Sequence, residues 1–548
     1  MRKIHLRGLA TLFLITFLAA GCALFTTPAP PVSSAPTAVP ATATIEPTPT
    51  TPPQPTPTIA IPVDAAVLPV VLSPSFETLD PRTESSPEAR ALQSLLYQTL
   101  VALDTAGNPI AGLAYGWEAT ADGLSYTFFI PTGASFSDGA TITATVVSQN
   151  LNEFLLTAGS AAAVYPYNII DTIDAVDEAT LAIRLKQPCN TFLQALANPR
   201  LSIISPEWIS RPSASLADSP AGSGPFRLVS METGSQLTFL KRSEYTGAPV
   251  FFDLVRVSLV PSAAEVRDQL TAGQALLGIF PQAAQRDPLP TAESGLQTRL
   301  LALPEMQVMA FNFTRPFFNS LQVRQTFNRA IDRAALIQTV FMGDALAPSG
   351  IYPIGMFGAC AGEEDYAYNP SLSSSPLPWE RVTLRALAPE GLYRQDRALI
   401  EAMSSQFALV GINLTVDYTS REDYPRSVIE NQPLANYDLY FVQFESPSFS
   451  PAALDEWFRS NGALNGGKYA NPQVDDLLSR SRNELEPELA EAQYCQAAQQ
   501  IWADAPYLFL LQPAYTVAYS SSLEGFTASP NGWLHLDLLR TELTTPPE

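Results

Sequence analysis

Histidine is nearly absent from this chain. Two occur in 548 residues. His5 falls in an N-terminal stretch that reads as removable, which leaves His535 alone. That excludes any site with two or more His ligands and argues against a His-dependent nucleophilic triad. His535 lies in Trp533-Leu534-His535-Leu536-Asp537-Leu538, an alternating stretch that reads as a strand, and the role expected for it is structural. Cysteine is scarce as well. Of the four, none forms a C-x-x-C pair, so zinc and thioredoxin-like chemistry find no support. Charge is sparse and one-sided, at 15% charged residues and a net charge of −22. Nucleic acid is therefore not an expected partner, and no basic patch suggests a hold on anionic lipid. No Walker A loop, G-x-S-x-G, H-E-x-x-H or Asp-rich Ca²⁺ loop occurs. The acidic run Glu363-Glu364-Asp365 reads as a solvated loop. No metal, cofactor or catalytic residue is expected.

What is present is ordered along the chain. Arg2, Lys3 and Arg7 precede a short apolar run at 9–18, followed by Ala19, Ala20, Gly21 and Cys22. Together these read as an export signal, and the run is too short to span a bilayer. Cys22 after Ala-Ala-Gly resembles a bacterial lipobox, with Ala19 where Leu is usual. The resemblance implies lipidation of Cys22. Residues 26–62 are almost all Pro, Thr, Ala, Val and Ser, with twelve prolines and Glu46 as the single charge. Such a segment cannot bury enough apolar surface to fold and favours polyproline II. At about 3.1 Å per residue it reaches on the order of 100 Å. The expected order is a signal at 1–21, a lipidated Cys with its stalk at 22–64, then a body held off the membrane outside the cytoplasm.

The body alternates strands and helices. Ser86-Pro87-Glu88 is a helix start, with a cap and then Pro in the first turn. Residues 126–130 and 181–185 read as strands, and 143–156 as a helix. A long helix is expected over 321–341, with Val323, Phe327, Ala330, Ile331, Ala334 and Phe341 on one face. A β-α-β pattern follows: a strand at 382–387, a helix at 393–410 ended by Gly411, and a strand at 412–416. A further strand is expected at 439–444 and a last helix at 488–502. This alternation indicates an α/β protein of two to four lobes.

Several stretches, in order, resemble one known family. Leu79-Asp80-Pro81 is the first, then Leu95-Leu96-Tyr97-Gln98-Thr99-Leu100. Leu113-Ala114-Tyr115-Gly116-Trp117-Glu118, Asp122-Gly123-Leu124-Ser125-Tyr126-Thr127-Phe128 and Phe136-Ser137-Asp138-Gly139 follow. Gly222-Ser223-Gly224-Pro225-Phe226 comes next, and Val323-Arg324-Gln325-Thr326-Phe327-Asn328-Arg329-Ala330-Ile331-Asp332-Arg333 last. From residue 72 onward the chain resembles the extracellular solute-binding proteins of the peptide/nickel class of ABC importers, solute-binding family 5. The resembling motifs read as scaffold: Asp-Gly turns beside a strand, and glycines where chains cross.

The resemblance implies a periplasmic-binding-protein-like α/β fold of the type II, cluster C kind, with mixed sheets and a cleft between two lobes. Residues 65–100, 212–312 and 512–548 would form the core of lobe 1, 101–211 an additional subdomain, and 313–511 lobe 2. It implies ligand-reading residues from three places: Thr83, Glu84 and Ser85; the aromatic Tyr424; and Gln443, Phe444 and Glu445. Phe444 stands where the family has Trp, and a plain core strand residue is the competing reading. The Asp that pairs with a peptide's ammonium falls on Pro447, and Glu445 is the candidate replacement. One disulfide, if any, joins Cys360 to Cys495, since both fall in lobe 2 and Cys189 does not. The implied function is a monomeric, lipid-anchored receptor that captures a peptide or other small solute by lobe closure and delivers it to an ABC permease. A nickel cargo fits poorly with one His. The alternative is an extracellular α/β hydrolase, or a binding lipoprotein with a sensing role; a hydrolase would need an activated nucleophile beside a base.

Overall fold

β1 (Val67–Leu72) is apolar throughout because successive residues enter two different cores. A computed structural model describes residues 65–541 apart from 75, 158–164, 212–219, 233–234, 281–294, 365, 374–380, 425–427 and 429–433. The export signal, Cys22 and the Pro/Thr-rich segment lie outside the described residues, as does Asp365.

α1 (Pro87–Leu96) begins where its sequence says it should, with the Ser86 hydroxyl accepting from the Ala89 N–H. Its C-terminal end lies against Gly222 and Gly224. A Cβ at Gly222 would come 2.0 Å from the Leu96 carbonyl oxygen, and one at Gly224 2.5 Å from the Leu96 carbonyl carbon. The crossing is possible only without side chains there.

The main sheet has twelve strands. In chain order the longer ones are β1, β2 (Phe226–Glu232), β3 (Gln236–Lys241), β4 (Leu254–Leu259), β5 (Leu277–Phe280), β6 (Leu296–Ala302), β7 (Glu305–Phe311), β8 (Val382–Glu390), β9 (Ile412–Ser420), β10 (Leu439–Glu445) and β11 (Tyr507–Ser520). Across the sheet they run β9-β8-β10-β7-β11-β5-β1-β4-β3-β2, with β6 also on β11. The two-lobed fold follows from β11. Its first half pairs with β7, from Tyr507 opposite Ala310 to Leu511 opposite Gln307. Its second half pairs with β5 and β6, from Ala514 opposite Ala302 to Ser520 opposite Leu296. The chain changes lobes at Gln512-Pro513 and at Leu303-Pro304, and the Gln512 amide ties the two crossings by donating to the Leu303 carbonyl at 2.8 Å.

Residues 116–185 supply a separate four-stranded sheet, made of Gly116–Ala119, Ser125–Phe129, Thr180–Leu185 and Ile170–Ala175. Its core is continuous with residues of the second lobe: Phe128, Cys189 and Phe192 belong to one apolar cluster with Phe444, Phe458 and Tyr494. Cys360 and Cys495 form a disulfide with Cα atoms 5.5 Å apart, and Cys189 is free and buried.

Two expected elements differ. The helix over 321–341 is two helices, α2 (Leu321–Arg329) and α3 (Arg333–Thr339). Asp332 breaks it. Its carboxylate accepts from the Ala335 N–H, a cap that competes with a helical interior position. The break also turns Arg333 inward, where its guanidinium donates to the carbonyls of Phe509, Asn328 and Tyr366. The alternating stretch at 533–538 is not a strand. Leu534 makes one bridge to Ala528, and Leu536–Leu538 is a 3₁₀ turn. Its apolar residues pack on α1, with Ser94 donating to the Leu534 carbonyl, so alternation here reflects one covered face without a ladder.

Candidate functional site

The polar residues of interest gather along the seam between the lobes. Near the crossings, β7 and β10 place Glu305 opposite Glu445 and Gln307 opposite Gln443. The Gln307 amide donates to Gln443 at 3.1 Å and to the Arg394 carbonyl at 3.0 Å. Arg90 reaches this group from α1. It is buried, donates to the Asn531 carbonyl at 3.3 Å and holds its guanidinium 3.9 Å from the Glu445 carboxylate. Two carboxylates side by side cannot both ionise freely. The Glu305 carboxyl is accordingly pushed up to about 7, first by burial and then by Glu445, against the pull of Arg90 and Arg394.

Further along, the segment 101–211 meets the second lobe through hydroxyls and amides. Ser450 donates to Thr191 at 2.7 Å, the Asn190 side chain to the Ser481 carbonyl at 2.6 Å, and the Arg482 guanidinium lies 4.6 Å above the Tyr165 ring. The first of these bonds is buried, and the same segment shares an apolar cluster with the second lobe.

The residues expected in the cleft divide. Gln443 and Glu445 lie half-buried on one face of β10, two residues apart. Glu84 is occupied locally, its carboxylate accepting from the Ser85 and Ser86 N–H groups at 2.8 and 2.7 Å. Ser85 is half-buried. Thr83 is exposed and, with Arg82, lines a cavity of about 350 Å³ against Asn150, Glu153, Phe154 and Arg200. That cavity lies on the first-lobe side. Two residues are not wall residues in this structure. Phe444 has no exposed surface, and its ring sits among Trp457, Phe458 and Tyr507 at 5.3, 5.2 and 4.9 Å. Tyr424 is buried, with its hydroxyl donating to the Phe441 carbonyl. Both correct the expectation of an aromatic cleft wall. Each large ring fills space behind β10, where burial rewards it more than exposure would.

Arg90, Glu305, Gln307 and Arg394 were not singled out from the sequence. None of the four carried a signal: α1 is covered on every side, and Arg90 shares its helix face with Gln93 and Ser94.

One constellation looks catalytic and is not. The His535 Nε2 lies 2.7 Å from the Ser529 Oγ, and its Nδ1 3.7 Å from Asp537. The Ser529 hydroxyl donates to the Leu103 carbonyl at 2.7 Å, so its proton is already committed. His535 is then the donor to Ser529, the reverse of a general base, and the Asp537 distance is too long for an orienting hydrogen bond. Ser529 is also buried. Among the described residues no group of three or more His, Cys, Asp or Glu side chains is placed to hold a metal ion.

Comparison with known proteins bears on the family and the fold. Residues 108–465 match the profile of "Bacterial extracellular solute-binding proteins, family 5 Middle". The chain is similar to "Probable D,D-dipeptide-binding periplasmic protein DdpA" of Escherichia coli (strain K12), at 27% identity over 86% of this chain and 93% of that protein. It is similar to "Glutathione-binding protein GsiB" of Salmonella choleraesuis (strain SC-B67), at 26% identity over 85% and 93%. Among solved structures, the periplasmic binding protein DppA of Helicobacter pylori in complex with peptide STSA has the same fold, with a TM-score of 0.66 at 20% identity over 87% of this chain and 98% of that one.

Proposed function

This chain belongs to the bacterial extracellular solute-binding proteins, family 5, and on that premise we propose that it takes up a short peptide or peptide-like solute and hands it to the permease of an ABC importer. Its solute-binding role outside the cytoplasm follows from the family; the ligand class and the permease are the further step. The observation that carries it is the seam. Two lobes share β11, the chain crosses between them at Gln512-Pro513 and Leu303-Pro304, and polar side chains from both lobes face one another beside those crossings. Rotation there can open the seam to a solute and close over it. The names of the similar proteins, which bind D,D-dipeptides and glutathione, support a peptide-like ligand. In this reading the first-lobe boundary expected at 312/313 moves to Leu303-Pro304, so that β7 goes with the second lobe, and the receptor acts as a monomer.

Native mass spectrometry of protein purified from its host tests the function. The expected result is a co-purified solute of peptide-like composition, bound without turnover; release of hydrolysis products would favour the hydrolase. Glu445 offers a residue-level check. Calorimetric titration of Glu445→Gln with that solute should show binding weaker by about 1–3 kcal/mol, the range for a hydrogen bond to a charged group. Unchanged affinity would leave Glu445 as a partner of Arg90 alone.

We also propose that Cys22 carries a lipid and that the Pro/Thr-rich segment is its tether. Cys22→Ser should move the protein from the membrane fraction to the soluble one. Complete retention in the membrane fraction would sink the anchor.

A further inference from the structure

Arg482 lies in the last turn of the helix Pro472–Asn483 and is half-buried, yet its guanidinium makes no hydrogen bond or ion pair among the described residues, and its Nε is fully covered. The helix end does not account for it. A cation is useful there when it meets the last free carbonyls. Those carbonyls are already met from the segment 101–211: the Asn190 side chain donates to Ser481 at 2.6 Å, and the Asn190 N–H to Arg482 at 3.2 Å. What holds the guanidinium is the buried ring of Tyr165, over which it lies at 4.6 Å. A guanidinium held by its face keeps its N–H groups pointing outward from its edge, and here that edge is unused.

Arg482 and Tyr165 line a cavity of about 310 Å³ whose other walls are mostly polar, with Arg459, Gln187, Glu456 and Asn461 among them. Arg459 is half-buried, gives one N–H to the Ser479 hydroxyl at 2.9 Å and joins no ion pair among the described residues. Lys186 reaches the same wall, donating to the carbonyl of the lining residue Asn168 at 3.2 Å. The nearby acids do not balance these cations. Glu456 has a carboxylate oxygen committed to the Ala463 N–H at 2.9 Å. Asp455 is fully buried and joins no ion pair among the described residues, and burial holds its carboxyl well above the usual range against the pull of both arginines. In a chain of net charge −22, this cavity is a local reversal of sign.

We propose that this cavity binds a small oxyanion of the phosphate or sulfate type. The open edge of Arg482 matches two oxygens of such an anion, and Arg459 and the Gln187 amide supply further donors. The anion also relieves the repulsion between two arginines that share one cavity. Tyr165 and Gln187 come from the segment 101–211 and both arginines from the second lobe, so a bound anion ties the two together. The site shares no residue with the group around Glu445, and it does not depend on which solute the receptor carries.

The test titrates the mature protein with inorganic phosphate and with sulfate, in chloride buffer at fixed ionic strength, and reads calorimetric binding and melting temperature. Wild type should bind either anion saturably at roughly millimolar concentration or tighter, and should melt higher in it than in chloride alone. Arg482→Gln should weaken binding roughly tenfold or more, the size expected for losing hydrogen bonds to a charged group. Arg482→Lys keeps the charge without the fork and should fall between the two. Arg480→Gln removes an equal charge from the same helix outside the cavity, where Arg480 pairs with Asp476, and should bind as wild type does. No saturable binding by wild type would overturn the site. So would unchanged binding in Arg482→Gln, or an equal loss in Arg480→Gln, which marks a general charge effect. If Arg482→Gln does not fold, Arg459→Gln carries the same comparison with the same outcomes. Glycerol phosphate is the last titrant: binding tighter than inorganic phosphate assigns the anion to an ester or headgroup, equal or weaker binding assigns it to the free ion, and both uphold the site.

Discussion

Phe444→Ala will destabilise the protein by about 3–5 kcal/mol, the cost of removing a large aromatic ring from a packed core. The size follows from where the ring is. It has no exposed surface and contacts three other aromatic rings, from Trp457, Phe458 and Tyr507, at centroid distances of 4.9 to 5.3 Å. Two of these partners come from the segment after β10 and the third from β11, so the cavity would open where β10 and β11 are held in register with β7. Little collapse is available, since the sheet backbone on one side is fixed by its ladders. A cleft-wall residue would behave in the opposite way, with near-normal stability and lost binding. Urea unfolding of wild type and variant separates the two outcomes. A loss below about 1 kcal/mol would put Phe444 back on the cleft wall.

Replacing both Cys360 and Cys495 with Ser will lower stability by about 4–5 kcal/mol. The bridge closes a loop 135 residues long. In the chain-entropy account a cross-link of that span removes much of the freedom of the unfolded chain. The two Cys join an irregular segment to the helix Pro487–Asp504, so the native state also loses a fixed point. Nearby packing does not replace the bridge, though it is close: a Cβ at Gly362 would fall 1.9 Å from the Trp502 ring. Denaturant unfolding of the double variant, compared with oxidised wild type, measures the effect. A difference under about 1 kcal/mol would mean the bridge is not formed in the protein as isolated, or that the reduced chain is already ordered there.

What could be read in advance was local. The Ser86 cap, the Gly411 stop with its φ of 77°, and the strand at Leu439–Glu445 each depend on a few adjacent residues, and each was legible. The break at Asp332 was not, because apolar spacing continues in phase across both helices. Only the distant carbonyl of Phe509, which needs the Arg333 guanidinium, shows why the chain turns there. The site divides in the same way. Gln443 and Glu445 interrupt an apolar strand with period two, and that places them on one accessible face. Phe444 could not be assigned to wall or core, because a strand apolar on both faces does not reveal which side is covered, and Tyr424 lies just after β9, outside any strand, where no periodicity gives a face. The pairing of Glu305 with Glu445 depends on a register between residues 140 apart in sequence, which spacing alone does not contain.

The position of β11 has a consequence for synthesis and export. Residues 507–520 form a strand in the middle of the sheet, yet they come late in a chain of 548 residues. Until they are made, β5 and β6 lack the partner that joins them to β7, and neither lobe has a finished sheet edge. A growing or partly exported chain therefore exposes open ladders for most of its length. Such edges fold slowly and aggregate readily, because their contacts are distant in sequence. A chain stopped near residue 505 would have nearly all of its helices and no means of closing either sheet.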